Sequence, residues 1–143
     1  MKIKSRAAFY TIMCAIALST FSCGNENTDP DARAEAFELL SGDWTFGTDG
    51  SIILDDQDVS LNYQGFSLSF ADGTYQTSNA GDLFNASGTW DWLDENAQQI
   101  LLDSGEEVTI EELSLVTFRF SFFHSGNNAF GTRGNYTVTL NKN

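Results

Sequence analysis

The chain has 143 residues, which is the size of one ordinary domain. It carries 20 acidic and seven basic residues, for a net charge of −13, which excludes nucleic acid as a partner and opposes binding to anionic lipid headgroups. Charged residues make up only 19% of the chain and hydrophobic residues 41%, which excludes a disordered acidic tail.

Residues 1–22 have the organisation of a bacterial lipoprotein signal peptide. A short basic start, Met1–Arg6, precedes a 12-residue, mostly apolar run, Ala7–Leu18. That run is shorter than the about 20 residues that a membrane-spanning helix needs. Ser22 then stands directly before Cys23, which resembles a lipobox, where the cysteine is acylated and becomes the new N-terminus. An ordinary secretory signal cut nearby is the alternative.

The use of cysteine favours acylation of Cys23. Cys14 lies inside the apolar run and leaves with the signal peptide, so Cys23 remains without a disulfide partner. We therefore expect residues 23–38 to form a lipidated tether and a short helix, with the membrane bound through the lipid on Cys23. The residue after Cys23 is Gly24, whereas an aspartate there resembles a signal for retention in the inner membrane. The prediction is an outer membrane lipoprotein of the cell envelope, facing either the periplasm or the surface.

A short helix is predicted ahead of the first strand. Asp29 suits the N-cap and Pro30 the first helical position. The residues from Ala32 to Leu40 favour a helix and place apolar side chains at helical spacing. Gly42 can end the helix.

From Asp43 onward the sequence alternates between apolar and polar residues, with turn residues at short intervals. Eight strands are predicted: Trp44–Leu54 (a break at 48–50 stays open), Gly65–Phe70, Thr74–Ser78, Gly88–Leu93, Gln99–Asp103, Val108–Leu113, Leu115–Phe123 and Gly134–Leu140. This pattern predicts an all-β fold over residues 39–143, an eight-stranded antiparallel up-and-down barrel preceded by the short N-terminal helix. The strands are too short, and too polar on their outer faces, to span a membrane.

Several segments resemble those of lipocalin-like bacterial lipoproteins. The triplet Gly42-Asp43-Trp44 is similar to the Gly-x-Trp start of lipocalins. Segments similar to the bacterial group are Phe66–Tyr75, Ser87–Trp92 and Val108–Leu113. The resemblance covers about Leu39 to Lys142 and implies a lipocalin-like barrel in the cell envelope, without a defined activity. It also implies an arginine packed on the opening tryptophan, for which Arg119 and Arg133 are the two candidates.

Large aromatic residues occupy alternating positions on the predicted strands. They are Trp44, Phe66, Phe70, Trp90, Trp92, Phe118, Phe120 and Phe122. Such rings either fill a small barrel or line a pocket for a small apolar ligand. The leading hypothesis is a non-enzymatic module that binds such a ligand, and a void above about 300 Å³ would favour it. The alternative is a filled barrel acting as a structural or protein-interaction module at the outer membrane.

The sequence offers few groups for catalysis. The single histidine, His124, precedes a Gly-Asn loop, so we expect it at a solvated rim and outside any catalytic triad. The acidic run Asp55–Asp58 could supply Ca²⁺ ligands but is more typical of a solvated loop. The pairs Glu106-Glu107 and Glu111-Glu112 could hydrolyse a glycoside only by facing another carboxylate across a cleft. We expect no enzymatic activity, no metal site and no cofactor.

Overall fold

The computed structural model describes residues 31–126 and 132–143. The predicted signal peptide, Cys23 and the predicted capping residues Asp29 and Pro30 lie outside the described residues, as does the end of the predicted loop 125–128. Within the described ranges, no helix is long and apolar enough to cross a membrane.

The described residues form one α-helix, one short 3₁₀ helix and ten strands. In chain order these are α1 (Ala32–Leu40), β1 (Gly42–Thr45), β2 (Ser51–Leu54), β3 (Gln57–Asp58), the 3₁₀ helix (Ser60–Tyr63), β4 (Ser67–Ala71), β5 (Thr74–Ser78), β6 (Ser87–Trp92), β7 (Gln99–Leu102), β8 (Glu107–Leu113), β9 (Thr117–His124) and β10 (Gly134–Lys142). The predicted β-rich pattern and the predicted helix are both present.

Eight strands close into an antiparallel up-and-down barrel, which confirms the predicted fold class. The order is β1-β4-β5-β6-β7-β8-β9-β10, and β1 pairs back onto β10 to close the circle. Closure leaves no long unpaired barrel edge, the feature that makes open sheets prone to aggregation. Side chains alternate along each strand, so that β9 and β10 bury every second residue.

The first predicted strand, Trp44–Leu54, is interrupted in the region where the sequence allowed a break, at residues 48–50. β1 pairs with the last residues of β10, and β2 pairs further along the same strand, from Thr139↔Ser51 to Tyr136↔Leu54. The two pieces therefore form one interrupted barrel strand, with residues 46–50 between them. The short strand β3 and the 3₁₀ helix that follow were not predicted, because each is too short for a periodic pattern.

Helix α1 lies across one end of the barrel. We call this the helix end, made of α1 with the turns at residues 72–73, 93–98 and 114–116. Asp31 is the N-cap, and its carboxylate accepts a hydrogen bond from the Arg33 backbone N–H at 3.1 Å. Phe37 stacks on Trp90 with ring centroids 6.1 Å apart, and the Arg33 Nε donates to the Asp94 carbonyl at 2.9 Å. The helix is thus fixed to β6 and to the turn that follows it.

The C-terminus of α1 is fixed by Lys142 and Trp44. The Lys142 Nζ donates to the carbonyls of Leu39 and Ser41 at 2.6 and 2.7 Å, and the Trp44 Nε1 donates to the Leu40 carbonyl at 2.7 Å. The ends of helices leave such carbonyls without partners inside the helix. The same Nζ lies 4.9 Å from the centre of the Trp44 ring, within range of a cation–π contact.

The expectation that Arg119 or Arg133 packs on Trp44 is wrong, because Lys142 occupies that place. Arg119 points outward from β9 and pairs with Glu111 and Glu112 at 3.5 and 3.4 Å. Arg133 lies over the Phe123 ring, 5.5 Å from its centre. Lys142 reaches Trp44 because β10 closes the barrel by pairing Lys142 with Trp44, which brings the C-terminal end of the chain beside α1.

We predict that Lys142→Met lowers the free energy of unfolding by about 1–3 kcal/mol, since it removes two charge-assisted hydrogen bonds and the contact with Trp44. Urea unfolding followed by tryptophan fluorescence measures the loss. The matched control is Arg119→Met, which makes the same change in net charge at an exposed ion pair and should cost about 0–1 kcal/mol. Equal losses in the two variants would show that Lys142 acts only through net charge.

Candidate functional site

The eight aromatic residues expected to line a ligand pocket form part of the packed core. Seven of them are buried, and Trp92 is half-buried beside α1. Neighbouring rings contact one another along β9, where the ring centroids of Phe118 and Phe120 are 4.7 Å apart. Trp90 and Trp92 meet edge to face at 5.0 Å. The structure therefore brings all eight residues into one continuous cluster.

Two further core residues come from the segment between β5 and β6. Leu83 and Phe84 are both buried, and the Phe84 ring lies 4.7 Å from that of Phe122 and 6.2 Å from that of Phe66. These side chains fill the barrel from the end opposite α1, which we call the far end. Their burial was not predicted, because the segment has no alternating pattern of apolar and polar residues and resembles a turn.

The space left inside the barrel is too small for a ligand. Among the described residues, the interior cavity measures about 10 Å³ and is lined by apolar side chains including Phe70, Phe118 and Phe120. That volume is at most about the size of one water molecule. Pockets for small molecules have volumes of about 300–1,000 Å³. In this structure the aromatic residues make a core and leave no ligand-sized cavity.

His124 is buried at the far end, so the expectation of a solvated rim position is wrong. Only 8% of the residue is exposed. β9 runs through residue 124, which places the histidine on the same inward face as Phe118, Phe120 and Phe122. If the alternation of inward and outward side chains is continued by two residues beyond Phe122, it predicts an inward position for His124.

Two carboxylates flank the His124 ring. Its Nδ1 is 3.7 Å from Glu106 Oε1, and its Nε2 is 4.0 Å from Asp82 Oδ2. Both ring nitrogens and Asp82 Oδ1 are buried, and they have no hydrogen-bond partner among the residues that the structure describes. The edge of the ring faces Tyr136 at 6.1 Å. A catalytic triad needs a nucleophile hydrogen-bonded to the histidine, and the described contacts of His124 do not provide one.

Tyr75 and Asp103 form a second polar pair at the far end. The Tyr75 hydroxyl donates to Asp103 Oδ1 at 3.3 Å. Burial, and then the negative charge of Asp103, raise the pKa of Tyr75 to about 12. Gly88 makes this approach possible, because a Cβ at that position would lie 2.7 Å from the Tyr75 ring. Burial likewise raises the pKa of Tyr63, with a smaller effect from its hydrogen bond to Tyr136.

The acidic run Asp55–Asp58 serves the turn between β2 and β3. Asp55 and Asp56 both have positive φ angles, 44° and 69°, as a tight hairpin turn requires. The Asp55 carboxylate accepts from the Asn135 backbone N–H at 3.1 Å. The Asp58 carboxylate accepts from the Ser60 hydroxyl and backbone N–H, which lower the pKa of Asp58. Over residues 31–126 and 132–143, no group of three or more potential ligand side chains is placed to hold a metal ion.

A broad concavity lies on the outside of the barrel wall. This outer trough has a volume of about 760 Å³ and crosses the outward faces of β8, β9 and β10. Its lining is rich in hydroxyl, amide and carboxylate groups, from Ser104, Glu106, Glu107, Thr109, Glu111, Ser121, Ser125, Asn135 and Thr137. The pairing of β8 with β9 shifts register between Ile110 and Glu112, and a bulge of this kind bends a strand. The trough was not predicted, because curvature of the wall has no signal in the alternating pattern.

No protein-family model matches this chain, and no curated protein matches it. The resemblance to lipocalin-like lipoproteins consequently depends on the residues quoted above.

We predict that Phe120→Ala destabilises the protein by about 3–5 kcal/mol, because it opens a cavity in a closely packed core. The matched control is Phe123→Ala on the outer face of the same strand, where the ring is 49% exposed. That change should cost about 1 kcal/mol or less, chiefly the contact with Arg133. Chemical denaturation measures both. Similar small losses in both variants would mean that the interior tolerates empty space and could accept a ligand.

We predict that Tyr75 makes the folded state sensitive to alkaline pH. Below pH 10 the folded and the unfolded chain both keep the phenol proton, so the contribution of Tyr75 to the free energy of unfolding is fully present. Above about pH 10 the unfolded chain loses this proton, whereas the folded state holds it to about pH 12, so the free energy of unfolding falls. Between pH 9 and pH 11 the wild type should lose about 1 kcal/mol more than Tyr75→Phe. Urea unfolding at each pH measures the free energy of unfolding of both proteins. If it changes with pH in the same way in the wild type and in Tyr75→Phe, this assignment is wrong.

Proposed function

We propose that the chain is a lipocalin-like lipoprotein of the bacterial outer membrane, and that its filled barrel acts as a structural or protein-interaction module. The observation that carries the proposal is the packed interior, whose cavity of about 10 Å³ cannot take a small molecule. Of the two hypotheses from the sequence, the geometry supports the alternative better than the ligand carrier. The barrel fold agrees with either.

The anchor of the proposed lipoprotein is the acyl group on Cys23. Support comes from the basic start, the short apolar run and the small residue before a lone cysteine. After cleavage the chain would carry 20 acidic residues against Arg33, Arg119, Arg133 and Lys142, a net charge of −16. Such a charge keeps a tethered domain soluble and repels other acidic surfaces.

The surface offered to a partner is the outer trough. Glu106, Glu107 and Glu111 line one side of it, and hydroxyl and amide groups line the rest. Phe123 is the exposed aromatic residue of the lining. A protein segment that carries positive charge and hydrogen-bond donors fits this lining, and charge complementarity of this kind speeds association.

The first test is mass spectrometry of an organic extract of the protein, purified from its native envelope. We expect the mass of the mature chain to include acyl groups on Cys23, and we expect no other small molecule in stoichiometric amount. A bound apolar molecule at one per chain would restore the carrier hypothesis. A mature chain without acyl groups would remove the lipoprotein assignment.

The second test locates the partner surface. A photo-crosslinking amino acid replaces Thr109, which is exposed and lines the outer trough, in cells that make the full-length protein. The matched control is the same replacement at Gln76, an exposed, mid-strand position on β5 outside the trough. We expect a discrete protein adduct from position 109 and none from position 76. Equal adducts at both positions would show that the trough has no special role.

A further inference from the structure

The turn between β8 and β9 carries two exposed aliphatic side chains in succession. Leu115 is 75% exposed and Val116 is 66% exposed. Two-residue turns of this kind are ordinarily built from glycine, asparagine, aspartate, proline or serine. The tip of the barrel therefore presents apolar surface where turn chemistry favours polar or flexible residues.

The turn is held without any contribution from those two side chains. The Ser114 backbone N–H donates to the Thr117 carbonyl at 2.9 Å, and the Ser114 hydroxyl accepts from the Thr117 backbone N–H at 3.0 Å. Val116 contributes through its backbone carbonyl, which accepts from the Lys142 N–H at 3.0 Å. Polar residues could replace Leu115 and Val116 without loss of these bonds. The fold therefore does not require their apolar character.

This apolar tip lies at the helix end of the barrel, where the chain arrives from Cys23. Lys142 bonds both to the carbonyl of Val116 and to the C-terminal carbonyls of α1, so the tip and the helix are adjacent. Leu93, 41% exposed, begins another turn of the same end. Cys23 stands eight residues before Asp31, a stretch that spans at most about 28 Å when extended. A lipid on Cys23 would therefore keep the helix end close to the bilayer.

We propose that the tip formed by Leu115 and Val116 inserts into the surface of the bilayer that holds the Cys23 anchor, so that the barrel stands with its helix end down. The proposal rests on the lipid anchor of the proposed function. Burial of two aliphatic side chains is too weak to hold a free protein on a membrane. It becomes effective once the tether makes the contact intramolecular.

The charge of the domain selects the type of lipid surface. The helix end also carries acidic groups, among them Asp94 and Glu95 in the turn beside Leu93. Anionic headgroups would repel this end, whereas zwitterionic headgroups would not. In the proposed orientation the outer trough faces sideways from the membrane and stays open to a partner, because it lies on the barrel wall.

The test uses the full-length, lipidated protein reconstituted in phosphatidylcholine vesicles. An environment-sensitive fluorophore is attached to Leu115→Cys, and in the control to Leu61→Cys, which is exposed and lies in the 3₁₀ helix beside β2. Acylation blocks the Cys23 thiol, so each variant has one reactive cysteine after the signal peptide is removed. We expect a blue shift and strong quenching by shallow spin-labelled lipid at position 115, and a water-like signal at position 61. Adding Val116→Asp should abolish the quenching.

The outcomes separate this proposal from the anchor itself. A water-like signal at position 115 in a chain that carries its acyl groups would overturn the inserted tip and leave the lipoprotein intact. A chain without acyl groups, recognised by its mass and by labelling of Cys23, would overturn both. A blue shift that depends on protein concentration and is not quenched by spin-labelled lipid would show that the tip contacts a second copy of the chain, and it would overturn insertion into the bilayer. Partial replacement of phosphatidylcholine by an anionic lipid at low salt should weaken the quenching, and unchanged quenching would contradict the orientation.

Discussion

One cation fixes the C-terminus of α1 to the closing strands of the barrel. The Lys142 ammonium group satisfies two carbonyls at the C-terminus of the helix and covers the face of Trp44, which in turn donates to the Leu40 carbonyl. Gly42 has a φ of 113° and a Cβ there would lie 3.3 Å from the Lys142 side chain, so the Gly-x-Trp start is adapted to this contact. The first and last strands of the barrel and its only described α-helix are thereby joined at one place.

The packed interior follows from the aromatic composition of the strands. Rings from β1, β4, β6 and β9 meet in the barrel, and Phe84 enters from the far end to complete the packing. An interior filled to native density loses stability when a ring is removed and gains nothing from an added small molecule. A barrel of this kind can therefore bind other molecules mainly through its wall and its two ends.

Alternation along the strands was enough to predict the barrel, since eight amphipathic segments in this length have few other ways to bury their apolar faces. It also placed Phe118, Phe120 and Phe122 on the inner face correctly. His124 was misplaced because the predicted strand ended one residue early, at Phe123, and strand ends have no strong sequence signal. Lys142 and Phe84 could not be found, because their roles arise from contacts between segments far apart in the chain. The outer trough is lined by residues from three strands, and the alternating pattern does not reveal the shape of the surface that they form.

The molecule is divided into regions of different character along the barrel axis. At the helix end, α1 leads into the first strand and apolar side chains are exposed. At the far end polar groups are buried, among them His124 between Glu106 and Asp82. Glu106 also belongs to the lining of the outer trough, and it accepts a hydrogen bond from Ser104. Glu106 therefore belongs both to the barrel wall and to the surroundings of the buried histidine, so the outer trough and the far end share one side chain.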